Sequence, residues 1–149
     1  GLYYAEPLID NTIKVSLSDI PVDDWKTVGM DATAAIDGKQ ETVWKTDILT
    51  SLVVDMGKDV EIAGFSYTPA QKEDLTGTIY KYNFYVSRNG KEWTKCDTTG
   101  EFSNIMHNPV PYFVRFGKTY PARYFKLEPV AEINSKAATA VGEVGVLLK

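Results

Sequence analysis

Asp37 and Thr42 are the residues of this chain whose types and spacing first suggest chemistry. They bracket the run Asp37-Gly38-Lys39-Gln40-Glu41-Thr42, with Ala35-Ile36 before it and Val43-Trp44 after. Gly38 allows a turn that most residues resist. Asp37 offers a carboxylate and Thr42 a hydroxyl, and the loop carbonyls between them can face the same point. Oxygen donors gathered in one turn suit a hard cation such as calcium. Asp-Gly taken by itself is equally an ordinary turn. Trp44 closes the stretch with a large apolar ring that belongs in a core, and so anchors the loop.

The elements that must hold this loop read as short strands. Leu52 to Met56 is a short apolar strand turned by Gly57-Lys58-Asp59, and Val60 to Thr68 follows as a β-rich run. Ile79 to Ser87 is the clearest strand, with Tyr80, Tyr82, Phe84 and Val86 on one face and Lys81, Asn83, Tyr85 and Ser87 on the other. Asn89-Gly90 favours a two-residue hairpin turn, which returns the chain along Glu92 to Asp97 with Trp93 packed against its partner. Thr98 to Pro111 reads as a long loop. Tyr112 to Phe116, Ala122 to Ala131 (Phe125 and Leu127 inward) and Gly142 to Leu148 are further strands. Gln71 to Gly77 and Asn134 to Thr139 are loops between them. Many short strands separated by turns, with no long helical stripe, predict an all-β sandwich.

Taken together, Asp37-Gly38…Thr42-Val43-Trp44, Leu52-Val53-Val54-Asp55-Met56-Gly57, Ile62 to Pro69, Tyr82 to Ser87, Asn89 to Trp93, Ala122 to Leu127 and Gly142-Glu143-Val144 resemble the discoidin family. This is the coagulation-factor type C domain, whose bacterial members include the family 32 carbohydrate-binding modules. The resemblance runs from about Trp25 to the C-terminus. It implies a galactose-binding-domain-like sandwich of jelly-roll topology with about eight strands. It divides the chain at residue 24. Residues 1–24 would be a linker or the tail of an upstream domain, with an edge strand in Thr12 to Leu17, and residues 25–149 the binding domain.

The resemblance also implies sites. A structural calcium ion would be held by Asp37, Thr42 and Glu143, with backbone carbonyls from about Ala34, Gln40, Thr42 and Val141. Without the resemblance, Glu143 reads as a solvated charge on an edge strand. A sugar would bind at the loop tips. Many family 32 modules carry there a histidine after the loop tryptophan, an arginine after the Thr-Pro pair, an asparagine in the penultimate loop and an aromatic soon after. This chain has Lys45, Ala70, Asn134 and Ala138 at those four places. A site of different composition would use Lys45, Asp47, Gln71, Glu73 and Asn134, whereas Tyr67 and Trp25 read as core. The expected function is a non-catalytic accessory domain that holds a covalently attached glycosidase, such as a hexosaminidase (chitobiase) or fucosidase, near glycans. The setting implied is a bacterial, secreted one, periplasmic or extracellular. The alternative is a structural or protein-interaction domain that packs against its parent enzyme and has lost sugar binding.

Composition bounds these readings. The chain has 149 residues, 44% of them hydrophobic and 24% charged, which suffices for one domain with a core. Its net charge of -4, without a basic stripe, gives no footing for nucleic acid or for an anionic membrane surface. No stretch approaches the ~18 apolar residues of a membrane span. Cys96 is the one cysteine, so no intrachain disulfide can form, and it reads as a semi-buried strand residue. His107 is the one histidine and reads as a surface group. No metalloprotease helix motif, nucleophile triad or phosphate-binding glycine loop is present.

Overall fold

The computed structural model describes residues 14–15, 24–39, 41–70, 74–103, 105 and 110–149. Strands dominate it, in chain order β1 (Lys14–Val15), β2 (Lys26–Thr27), β3 (Trp44–Thr46), β4 (Leu52–Thr68), β5 (Ile79–Ser87), β6 (Thr94–Glu101), β7 (Tyr112–Glu132), β8 (Thr139–Val141) and β9 (Glu143–Leu148). A 3-10 turn over Thr33–Ala35 precedes the loop from Asp37 to Thr42. One sheet runs β1-β9-β4-β7-β5-β6, with β2 added on β4, and β3 pairs with β8 in a separate two-stranded sheet. Among the described residues the named strands pair antiparallel.

Two strands are longer than the sequence suggests. The segments expected at Leu52–Met56 and Val60–Thr68 form one strand, and so do those at Tyr112–Phe116 and Ala122–Ala131. The turn expected at Gly57-Lys58-Asp59 is a bulge: register shifts between Asp55 and Val60, and again between Ile62 and Gly64, bend β4 without ending it. Extra residues in one strand kink and twist the ladder but leave its flanks paired. The bends let one hydrogen-bonded sheet fold over a common core. Phe65 of β4 therefore stacks at 4.3 Å on Phe84 of β5, although β7 lies between those strands in the ladder.

That core is aromatic. Phe84 stacks on Phe125, Trp25 meets Phe125 edge-on, and Phe102 stacks on both Tyr67 and Tyr82. Trp25, Trp44, Tyr67 and Cys96 are all buried. The strand after Trp93 runs through Thr98 to Glu101, and Phe102 and Ile105 just beyond it are buried, so the segment expected as a long loop is partly strand and partly core. Burying a ring such as Phe102 stabilises by roughly 2–3 kcal/mol. The hairpin also differs from expectation. Residues 88–93 form its loop, because the Asn89 side chain accepts hydrogen bonds from the amides of Lys91 and Glu92 and so widens the turn.

Candidate functional site

The loop from Asp37 to Thr42 is built as an oxygen cluster. Gly38 sits at φ +73, the left-handed region that favours glycine. Asp37 Oδ1 accepts from the Lys39 amide at 3.0 Å, which closes the turn. Thr42 Oγ1 lies 2.6 Å from Asp37 Oδ2 and 2.8 Å from Oδ1. It also lies 3.3 Å from the Lys39 carbonyl oxygen and 3.4 Å from that of Ala34. One hydroxyl has one proton to donate, yet four oxygens surround it.

Glu143 completes the cluster from the other end of the chain. It opens β9, opposite Thr68, and is buried, not solvated. Its Oε2 accepts from the Gly38 amide at 3.0 Å, while Oε1 is buried with no hydrogen-bond partner among the described residues. Burial pushes the carboxyl up to about 8, the negative charge of Asp37 adds to the rise, and the Gly38 amide opposes it. An ionised carboxylate with an orphaned oxygen costs free energy that a cation would repay. Among the described residues, no three side chains of the His, Cys, Asp or Glu types gather as a metal cluster. A hard divalent cation here would therefore use two carboxylates, a hydroxyl and carbonyls. Asp37, Thr42 and Glu143 fit that role, with Ala34 and Lys39 placing carbonyls beside the same hydroxyl. Val141 lies two residues before Glu143 and pairs with Trp44, which brings β8 to the loop. Gln40 lies outside the described residues.

The candidate ligand end adjoins this loop. Lys45 is exposed on β3, opposite Ala140 of β8, and its Nζ lies 3.2 Å from Asp74 Oδ2. Asp74 in turn accepts from the Thr76 amide at 3.0 Å. Its carboxyl is lowered to about 2, first by the Thr76 hydroxyl and amide and then by Lys45. Asp47 is exposed one residue beyond β3, and Asn134 is exposed in the turn after β7. The Thr139 hydroxyl ties the segment after Asp47 to β8, donating to the Ile48 carbonyl at 2.7 Å and accepting from the Thr50 amide at 3.0 Å. Ala70 and Ala138 are buried, so neither place presents a ring or a guanidinium. Gln71, Glu73 and His107 lie outside the described residues. Asp74 falls outside the expected ligand set, and the one available signal is its place beside Glu73 in the same polar loop.

Residues 14–144 match the F5/8 type C domain. The chain belongs to this family. The match starts at Lys14, and β1 begins there, paired to β9. Solved structures share the fold. One is a carbohydrate-binding module of Clostridium perfringens in complex with GalNAc-beta-1,3-galactose, 24% identical, covering 85% of this chain and 97% of that one, with a TM-score of 0.74. Another is a putative alpha-L-fucosidase from Bacteroides ovatus, 34% identical over 98% of this chain but 22% of its own, with a TM-score of 0.68. A galactose oxidase of Gibberella zeae is 27% identical over 134 residues, which are 79% of this chain and 18% of that protein. The discoidin chain thus spans under a fifth of the length of that curated relative.

Proposed function

We propose that this discoidin domain is a non-catalytic carbohydrate-binding module that holds an attached glycoside hydrolase near its glycan. The observation that carries the reading is the end where Lys45 of β3, Asp74 of the loop between β4 and β5 and Asn134 of the loop between β7 and β8 stand exposed. An ammonium beside a carboxylate, with an amide near by in the fold, can donate to one sugar hydroxyl and accept from the next. The parent enzyme would be an exo-acting glycosidase such as a hexosaminidase or fucosidase, in the periplasm or outside a bacterial cell. A single shallow site of this kind binds at roughly millimolar strength, about 4 kcal/mol, and tethering makes that useful through effective concentration.

Calcium would act structurally, neutralising Asp37 and Glu143 and tying the loop from Asp37 to Thr42 to β9. Its binding energy would add to folding through linkage.

A second reading keeps support from the same end. Two buried alanines stand where family members place an arginine and an aromatic, and Ile48 and Leu49 are exposed beside Asp47. A domain that docks on its parent enzyme would use such apolar groups. An amide NMR titration of the calcium-loaded domain separates the two. Galactose, N-acetylgalactosamine, N-acetylglucosamine and fucose at tens of millimolar should give saturable shifts around Lys45, Asp74 and Asn134. Absence of shifts with every sugar sinks the module reading in favour of docking.

A further inference from the structure

Glu132 is a buried carboxylate that neither the calcium set nor the ligand set uses. It ends β7 and is 2% exposed. Its Oε2 accepts from the Gly77 amide at 2.9 Å, and its Oε1 accepts from the amides of Asn134 at 2.7 Å and Lys136 at 2.9 Å. Its own carbonyl accepts from the Ser135 amide at 3.0 Å, and Ser135 takes a φ of +60, which most residues avoid. The turn after β7 is therefore wrapped around one residue. A buried carboxylate is tolerated when several N–H groups converge on it, and here three do.

The amides it collects come from two separate segments. Gly77 follows Asp74 on the loop between β4 and β5, and Asn134 and Lys136 belong to the loop between β7 and β8. Around them the backbone is locked by few alternatives. The Ala140 amide donates to the Gly77 carbonyl at 2.8 Å, and the Ile133 amide donates to the Thr78 carbonyl at 3.0 Å. Gly77 has φ +95, and a Cβ there would meet the Ala140 nitrogen at 2.8 Å, so this close approach requires glycine. Tyr67 supports the same junction from inside the core, donating to the Ala140 carbonyl and accepting from the Ile79 amide.

We infer that Glu132 is the positioning residue of the ligand end, fixing the loop that carries Asp74 against the loop that carries Asn134. The inference rests on the carbohydrate-binding reading for what the loops do, but the clamp itself is testable without any sugar. Charge-assisted bonds to backbone amides are stronger and more directional than neutral ones, so one carboxylate can set the separation of two loops. Glutamine at this place keeps the shape but replaces one acceptor oxygen with an NH₂ group, which cannot accept from an amide.

The test is Glu132→Gln in the calcium-loaded protein, beside Glu132→Ala. Hydrogen exchange at Gly77, Asn134 and Lys136 should accelerate by tenfold or more in the alanine variant, and in the glutamine variant at those of the three whose acceptor oxygen becomes the NH₂ group. Exchange at Gly38 and through the paired residues of β4 and β7 should stay within twofold of the parent. Where the parent gives saturable galactose shifts, the variant should bind galactose several-fold more weakly while its calcium-dependent rise in melting temperature is kept. Unchanged exchange at the three amides would overturn the inference, as would acceleration spread evenly over the whole sheet in both variants. A parent that binds no sugar removes the carbohydrate reading, and the exchange data then decide the clamp alone. Undiminished galactose affinity in a variant with loosened loops would overturn the positioning role.

Discussion

Two buried glutamates of the discoidin sandwich, one ending β7 and the other opening β9, are satisfied differently. Glu132 receives three backbone amides and leaves neither oxygen unpaired, so the fold alone satisfies it. Glu143 receives one amide, keeps one oxygen without a partner and faces the charge of Asp37. The difference is between a carboxylate used as a staple and one that needs something further, either a proton or a cation. A staple takes every partner it needs from the fold itself. An undersatisfied carboxylate makes geometry depend on pH and on metal.

Removing metal tests that contrast most strongly. At a calcium concentration a hundred times its Kd, linkage would stabilise the fold by about 2.7 kcal/mol. For a domain of this size that is a fall of roughly 5–10 °C in melting temperature when EDTA is added. A melting temperature indifferent to EDTA and calcium would dissolve the proposed ion. Glu143→Gln should remove the calcium increment altogether. Measured without metal at pH 9, the same variant should melt above the parent, because the buried charge is gone.

The pH dependence sharpens the comparison. The folded Glu143 carboxyl is raised from an ordinary 4.5 to about 8. A raised folded value means that the stability from this protonated group is complete below pH 4.5. It is lost as pH climbs toward 8. Metal-free protein should therefore weaken over that window, by at most ~1.4 kcal/mol per pH unit. Calcium displaces the proton, so its affinity should rise up to tenfold per unit over the same range, with proton release seen by calorimetry in two buffers. A flat metal-free profile in Glu143→Gln, beside a sloping one in the parent, would assign the slope to this residue. The smallest expected effect on stability belongs to the exposed pair. Lys45→Ala or Asp74→Ala should leave the melting temperature where it is, since exposed ion pairs contribute little. Either should weaken sugar binding several-fold in the NMR titration.

Parts of this were legible early and parts were not, for physical reasons. Asp37 and Thr42 are close in sequence, so a turn signal and two oxygen donors sufficed to pair them. The alternation of Tyr82, Phe84 and Val86 marked their inward face, and all three are buried. The joining of two expected strands into β4 was hidden, because a glycine at a bulge looks like a glycine at a turn. Pro121 hid the continuity of β7, although it lies within the ladder opposite Glu61. The widened loop after β5 was hidden because Asn89-Gly90 signals a tight hairpin, whereas the side chain of Asn89 caps a longer one.

What the amino-acid order determined by itself was local: strand periodicity, a cation-like turn, the absence of charge or motif for other chemistries, and a resemblance carried by many short segments. What the tertiary structure decided was which polar groups are left without water. Glu143 reads as a surface charge until the fold buries it and turns the Gly38 amide toward it. Glu132 gives no signal in the sequence, because one of the amides that satisfy it lies 55 positions away in the chain. Burial and partnership are properties of the assembled sandwich, because only packing removes solvent and brings remote amides to one oxygen.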